Sequence, residues 1–170
     1  MKQIFMPAIF VALFGLAACG SDGPAPHLYC PNVAVLEQAS VLNDYLPGRT
    51  DVAAQLTSAK VTGVAGSCVL EPKKKLLKVT FQAGFSATNG PANHFATLNL
   101  PYFVSISQGD NIISKNAYSI PMSFDGNTST TSATSKPVTV ELSNVPESAD
   151  IDVLVGFQLT QQQLSGVSGQ

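Results

Sequence analysis

Side chains able to move protons, attack carbonyls or hold metals are few in this chain of 170 residues. There are two histidines, His27 and His94, the second following Pro91-Ala92-Asn93. A Ser-His-acid hydrolase would have to use His94 as its base, yet no Gly-x-Ser-x-Gly turn is present to aim a serine at it. Acids are scattered. Asp150 and Asp152 share the polar face of an alternating run, where paired carboxylates are solvated, and a glycosidase pair would need Asp110 or Asp125 to meet a second acid at a separation that spacing does not specify. Asp125-Gly126-Asn127 offers oxygen ligands without the twelve-residue calcium loop, and zinc would need several histidine, cysteine or carboxylate ligands. These patterns assign no catalytic residue, no metal and no cofactor.

The three cysteines are more informative. Cys19 ends a segment in which Lys2 precedes the apolar run 4–16 and the small residues Ala17 and Ala18, the layout of a secretory signal. Crossing about 30 Å of hydrocarbon takes about 20 apolar residues, so this run is expected to be removed rather than kept as an anchor. The tetrad Leu16-Ala17-Ala18-Cys19 resembles the lipobox of bacterial lipoproteins. That resemblance implies cleavage before Cys19, a diacylglycerol on its thiol and a further palmitate-type chain on the new amino group. With each buried methylene contributing about 0.8 kcal/mol, such an anchor is durable. The expected division is a signal peptide over 1–18, a lipidated flexible tether over 19–27 rich in glycine and proline, and one domain over 28–170. Enteric lipoproteins are held at the inner membrane by an aspartate after the cysteine. Gly20 stands there, so the outer membrane, facing the periplasm, is the expected location.

With Cys19 consumed by lipid, Cys30 and Cys68 remain, and in an oxidising compartment they are expected to pair. The absence of Cys-x-x-Cys spacing argues against a redox pair. Nine basic residues against eleven acidic become eight against eleven once Lys2 is lost, a net charge of −3 that disfavours nucleic acid as a partner. Lys73, Lys74, Lys75 and Lys78 form a local basic run after Pro72, without interleaved aromatics. It reads as a solvated loop, with anionic lipid head groups as its functional alternative.

The elements that must position these groups are strands. Leu77, Val79, Phe81, Ala83 and Phe85 alternate with Lys78, Thr80, Gln82 and Ser86, which gives one buried and one wet face. The same period runs through Leu98 to Ile106, Val138 to Leu142 and Ile151 to Leu159, with further strands expected over 32–36, 55–64 and 112–124. Pro121 implies an edge position or a bend in the last of these, and Gly109-Asp110-Asn111 predicts a hairpin. Helix is expected only over 36–45 and over 161–167, the latter opened by Thr160 with Gln163 in the capping-box position. The Thr- and Ser-rich segment 127–135 reads as an exposed loop. About seven short strands predict an all-β antiparallel sandwich with immunoglobulin- or fibronectin-like layering and a short C-terminal helix. Within it, Phe103 points away from Tyr102 and Val104, either exposed as a binding surface or covered by a further layer.

Cys30-Pro31-Asn32, the run from Leu100 to Ile106 followed by Ile113-Ser114-Lys115, and Gly156-Phe157-Gln158-Leu159-Thr160 resemble a group of uncharacterised proteobacterial envelope lipoproteins. The resemblance covers most of 28–165 and implies location and fold without an activity. The expected function is a membrane-anchored, non-catalytic binding or scaffold module for an envelope protein or a cell-wall component. The alternative is a hydrolase of envelope polymers built around His94.

Overall fold

The structure, a computed structural model, describes residues 30–144 and 150–167, with side chains for all but 165–167. The signal segment, the lipobox and the tether over 19–27 lie outside it. The described residues form nine strands: β1 (Asn32–Val35), β2 (Val41–Tyr45), β3 (Gln55–Glu71), β4 (Leu76–Asn89), β5 (Leu98–Gln108), β6 (Asn111–Met122), β7 (Thr130–Thr134), β8 (Val138–Ser143) and β9 (Ile151–Phe157). A single helix, α1 (Gln161–Val167), follows. One sheet has the order β1-β9-β5-β6, and the other has β2-β3-β4 with both β7 and β8 on the far side of β4. All pairs are antiparallel except β1 with β9.

The core is made by the period-two faces that the sequence displays. Leu77, Val79, Phe81, Ala83, Phe85 and Ala87 of β4 are buried and meet Leu100, Tyr102, Val104 and Ile106 of β5 and Val153, Val155 and Phe157 of β9. Phe85 is the hub, with its ring 5.0 Å from that of Tyr102 and 5.8 Å from that of Phe157. Each such side chain contributes about 1.5–3 kcal/mol on burial. Pro121 lies in β6, the edge strand that its missing N–H requires. The capping box of α1 is formed in both directions: the Gln163 N–H donates to Thr160 Oγ1 at 3.3 Å, and the Thr160 N–H donates to Gln163 Oε1 at 2.8 Å.

Three local expectations are corrected. Residues 36–45 are not helical. They make one 3-10 turn (Glu37–Ala39) and then β2, because pairing Val41, Leu42 and Asn43 with Lys60, Ala59 and Ser58 buries Leu42 in the sandwich. The segment 127–135 is not all loop, since Thr130–Thr134 pairs with Gly84–Thr88 and its β-branched threonines suit an edge. Strand β3 also continues past Val64 to Glu71, opposite Leu76 of β4. The expected seven strands become nine partly because β7 and β8 are one line along β4, interrupted at Ser135-Lys136-Pro137. There Ser135 is buried, its hydroxyl accepts the Ala83 N–H at 3.0 Å and its carbonyl accepts the Gln82 amide at 2.9 Å.

Strand β5 is covered on both faces. Its outward residue Phe103 is only 6% exposed, packed beside Gly156 with Lys115 Nζ 4.1 Å from its ring centroid. The 3-10 turn carrying Ala39 lies over this spot, and a methyl at Gly156 would stand 2.7 Å from the Ala39 Cβ, so the close approach requires glycine. Phe103 is therefore a core residue rather than a binding probe. Phe103→Asp should lower stability by at least the roughly 3–5 kcal/mol of a Phe→Ala truncation, read as a fall in the urea midpoint.

Cys30 and Cys68 are disulfide-bonded, with their Cα atoms 5.9 Å apart, tying the entry of β1 in one sheet to β3 in the other. The bond spans a sequence separation of 38, for which the chain-entropy account gives about 4 kcal/mol. Replacing both cysteines by serine should remove most of that, and an unfolding free energy unchanged within about 1 kcal/mol would refute a stabilising role.

Candidate functional site

The sandwich has two dissimilar ends. At one end, β2 runs out through Tyr45 into a turn containing Pro47 and Gly48, whose φ of +74° suits glycine. This turn, the last residues of β2 and the start of α1 enclose an open groove of about 500 Å³. Asn43, Asp44, Tyr45, Arg49, Thr160 and Gln163 are among the residues that line it. A shift in register between Asp44 and Tyr45 re-aims this stretch of β2 at the strand's end. The groove wall is fixed by the Gln163 amide, which donates to the Asn43 carbonyl at 3.3 Å. Asp44 Oδ1 accepts the Tyr45 N–H at 3.1 Å.

Arg49 is not a free anion receptor. Its Nε and Nη2 donate to the two carboxylate oxygens of Asp51 at 2.8 and 2.6 Å. This fork holds the Asp51 carboxyl below the usual carboxylate range and raises the Arg49 guanidinium. With that pair neutralised, Asp44 is the remaining charge of the lining. The chemistry on offer is amide, hydroxyl and carboxylate groups beside a tyrosine and the apolar Val41, Leu46 and Pro47, without a free cation to receive phosphate.

Beside this groove is the loop 90–97. It is held against the start of β3 by the Gly90 N–H on the Leu56 carbonyl and the Ala92 N–H on the Gln55 carbonyl. Asn93 is buried and organises the loop, its amide donating to Asn89 Oδ1 at 2.6 Å and to the Ala96 carbonyl at 2.9 Å. That leaves His94 exposed at φ +50°, outside the groove lining, with no carboxylate or hydroxyl partner among the described residues. Of the candidate acids, Asp125 sits in a turn whose carbonyl accepts the Thr128 hydroxyl, Asp152 accepts from the Asn32 amide, and the turn carrying Asp110 lies beside Asp150, the Gly109 N–H donating to the Asp150 carbonyl at 3.2 Å. Among the described residues no three His, Cys, Asp or Glu side chains converge as a metal site, and no helix is long and apolar enough to cross a membrane.

The groove residues were hidden from sequence reasoning by the helix expected over 36–45, which would have distributed Asn43, Asp44 and Tyr45 around a cylinder. The available signal was Val41-Leu42-Asn43-Asp44-Tyr45 leading into Pro47-Gly48, a short strand entering a turn.

The opposite end carries the lysine run. Pro72–Lys74 forms a 3-10 turn between β3 and β4, closed by Lys75 in the left-handed conformation at φ +50°. Glu71 binds Lys74 at 2.7 Å and Lys78 at 2.8 Å, and Lys78 also approaches Glu141 at 3.5 Å. Lys73 and Lys75 have no acidic partner among the described residues. The chain matches no family model, no curated protein and no solved structure, so its own geometry must carry the functional reading.

Hydrogen bonds from Lys74 and then Lys78 hold the Glu71 carboxyl down at about 2, against an ordinary value of 4.5. A depressed folded value means that its contribution to stability is present above pH 4.5 and is lost as pH falls toward 2. Carboxyl NMR titration should put the Glu71 midpoint near 2 and move it back toward 4.5 when both lysines are replaced by alanine. An unmoved midpoint would show that the ion pairs do not form in solution.

Proposed function

We propose that this chain is a cell-envelope lipoprotein, anchored by acyl chains on Cys19, whose sandwich is a non-catalytic binding or scaffold module for a protein partner or a cell-wall component. The observation that carries the reading is the Cys30–Cys68 bond. A structural disulfide belongs to an oxidising compartment, and this one stands where the tether enters the domain. The lipobox-like tetrad Leu16-Ala17-Ala18-Cys19 supplies the address, with the outer membrane favoured by Gly20. The groove at the far end supports recognition, since it combines polar side chains with the apolar Val41, Leu46 and Pro47 and is held by the Gln163 amide on the Asn43 carbonyl. An exposed His94 without an acid or hydroxyl partner favours the module over the hydrolase, because a general base must be oriented within hydrogen-bond reach of what it activates.

The test is made in the native cell with a photo-reactive residue at position 45 and a second at Thr139 on the open sheet face. Position 45 should capture a partner that position 139 does not, Cys19→Ala should abolish acyl labelling, and His94→Ala should keep full cellular function. Loss of a catalytic base typically costs about 10²- to 10⁴-fold in rate. A folded His94→Ala protein that fails to complement while partner capture is unchanged would replace the module by the hydrolase.

A further inference from the structure

We propose that the tip of the β3–β4 hairpin, with Lys73, Lys74 and Lys75 at its head and Val69 and Leu70 on its flank, rests on anionic lipid head groups of the membrane to which the chain is tethered. The inference depends on the reading of Cys19 as lipidated and goes beyond it by naming the face that meets the bilayer.

The geometry begins at the disulfide. Asn32 pairs with Asp152, and Ile151 with Gln108, which is joined to Asn111 across the β5–β6 turn, so the β1-β9-β5-β6 sheet ends at about the level of Cys30. Cys30 is bonded to Cys68, but β3 continues for three more residues to Glu71 before it turns. At about 3.3 Å per residue, the tip stands roughly 10 Å beyond the bridge. Past Lys60, where its pairing with β2 ends, β3 is an edge, and there Val69, opposite Lys78 on the outer face, is 60% and Leu70 37% exposed. The hairpin is nevertheless held, by the Lys75 N–H on the Pro72 carbonyl and by the Asn144 N–H on the Lys75 carbonyl.

The chain preceding Cys30 leaves the domain at the root of this arm. The eleven residues 19–29 reach at most about 40 Å when fully extended, so lipid on Cys19 would join the domain to the bilayer through this end. Charge selects the contact within that end. Glu71 is occupied by Lys74 and Lys78, which leaves Lys73 and Lys75 without an acidic partner among the described residues. The acids Asp110, Asp150 and Asp152 belong to the end of the other sheet, where the Gly109 N–H donates to the Asp150 carbonyl, and none of them pairs with the tip lysines among the described residues. Two or three lysines bind anionic lipid only weakly alone, and the covalent anchor supplies the local concentration that makes the contact persistent.

The experiment uses the full chain, processed in the cell, extracted in detergent and reconstituted into phosphatidylcholine vesicles with or without phosphatidylglycerol. A photo-reactive residue replaces Leu70 or, at the far end, Phe95, and adducts are identified by mass. Position 70 should form lipid adducts that increase with phosphatidylglycerol, position 95 should form none, and Lys73→Gln with Lys75→Gln should cut the adducts at position 70 by about tenfold. That pair of substitutions leaves the Glu71 ion pairs intact, and unfolding midpoints check that the hairpin survives. The mass of the Cys19 peptide is read from the same sample. An unacylated Cys19 overturns both the anchor and the tip contact. An acylated Cys19 with no lipid adduct at position 70, with equal adducts at 70 and 95, with no dependence on head-group charge, or with position 70 joined only to protein overturns the tip contact alone.

Discussion

Strand β4 is the member on which the other elements depend. Its fourteen residues pair with β3 along one side and with β7 and β8 in succession along the other, so the whole of one sheet is registered against it. Its inward face supplies Val79, Phe81 and Phe85, and Phe85 touches the aromatic rings of both β5 and β9. A slip of one residue in its pairing would turn these rings to solvent and Thr80 and Gln82 into the core, which is why the register is strongly specified. The buried Ser135 serves the same strand, since its hydroxyl and backbone satisfy β4 groups at the one point where the outer line is broken before Pro137.

Around this frame the two ends diverge. One end carries the groove, where Gln163 ties α1 to β2 and the Arg49–Asp51 pair cancels its own charge. The other has the β3–β4 hairpin tip, the disulfide and the entry of the chain at Cys30. In the proposed lipoprotein this polarity separates attachment from recognition, and the disulfide fixes the start of the domain to β3 and joins the two sheets.

Much of this was legible without coordinates. The alternation over 77–85, the Gly109-Asp110 hairpin, the edge position of Pro121 and the capping box of α1 follow from local rules, because the period of two and the turn and cap chemistry are properties of neighbouring residues. The cysteine count led to the Cys30–Cys68 pair once Cys19 was set aside for lipid.

What local reading could not reach depended on partners distant in sequence. Residues 41–45 became a strand because β3 offered them an edge, and 130–134 became a strand because β4 had one side free, neither of which is encoded within the segments themselves. The alternation alone permits Phe103 to be exposed or covered, and the turn at Ala39 above Gly156, a contact between residues more than a hundred positions apart, decides for cover. The groove is of the same kind, assembled from 41–50 and 160–163. The sequence by itself determined which faces must be buried and which turns must form, since those are short-range consequences of side-chain period and backbone preference. Only the tertiary structure decided which edges met, what covered the second face of β5 and which segments enclosed the groove, because those outcomes depend on how long-range surfaces compete for one another.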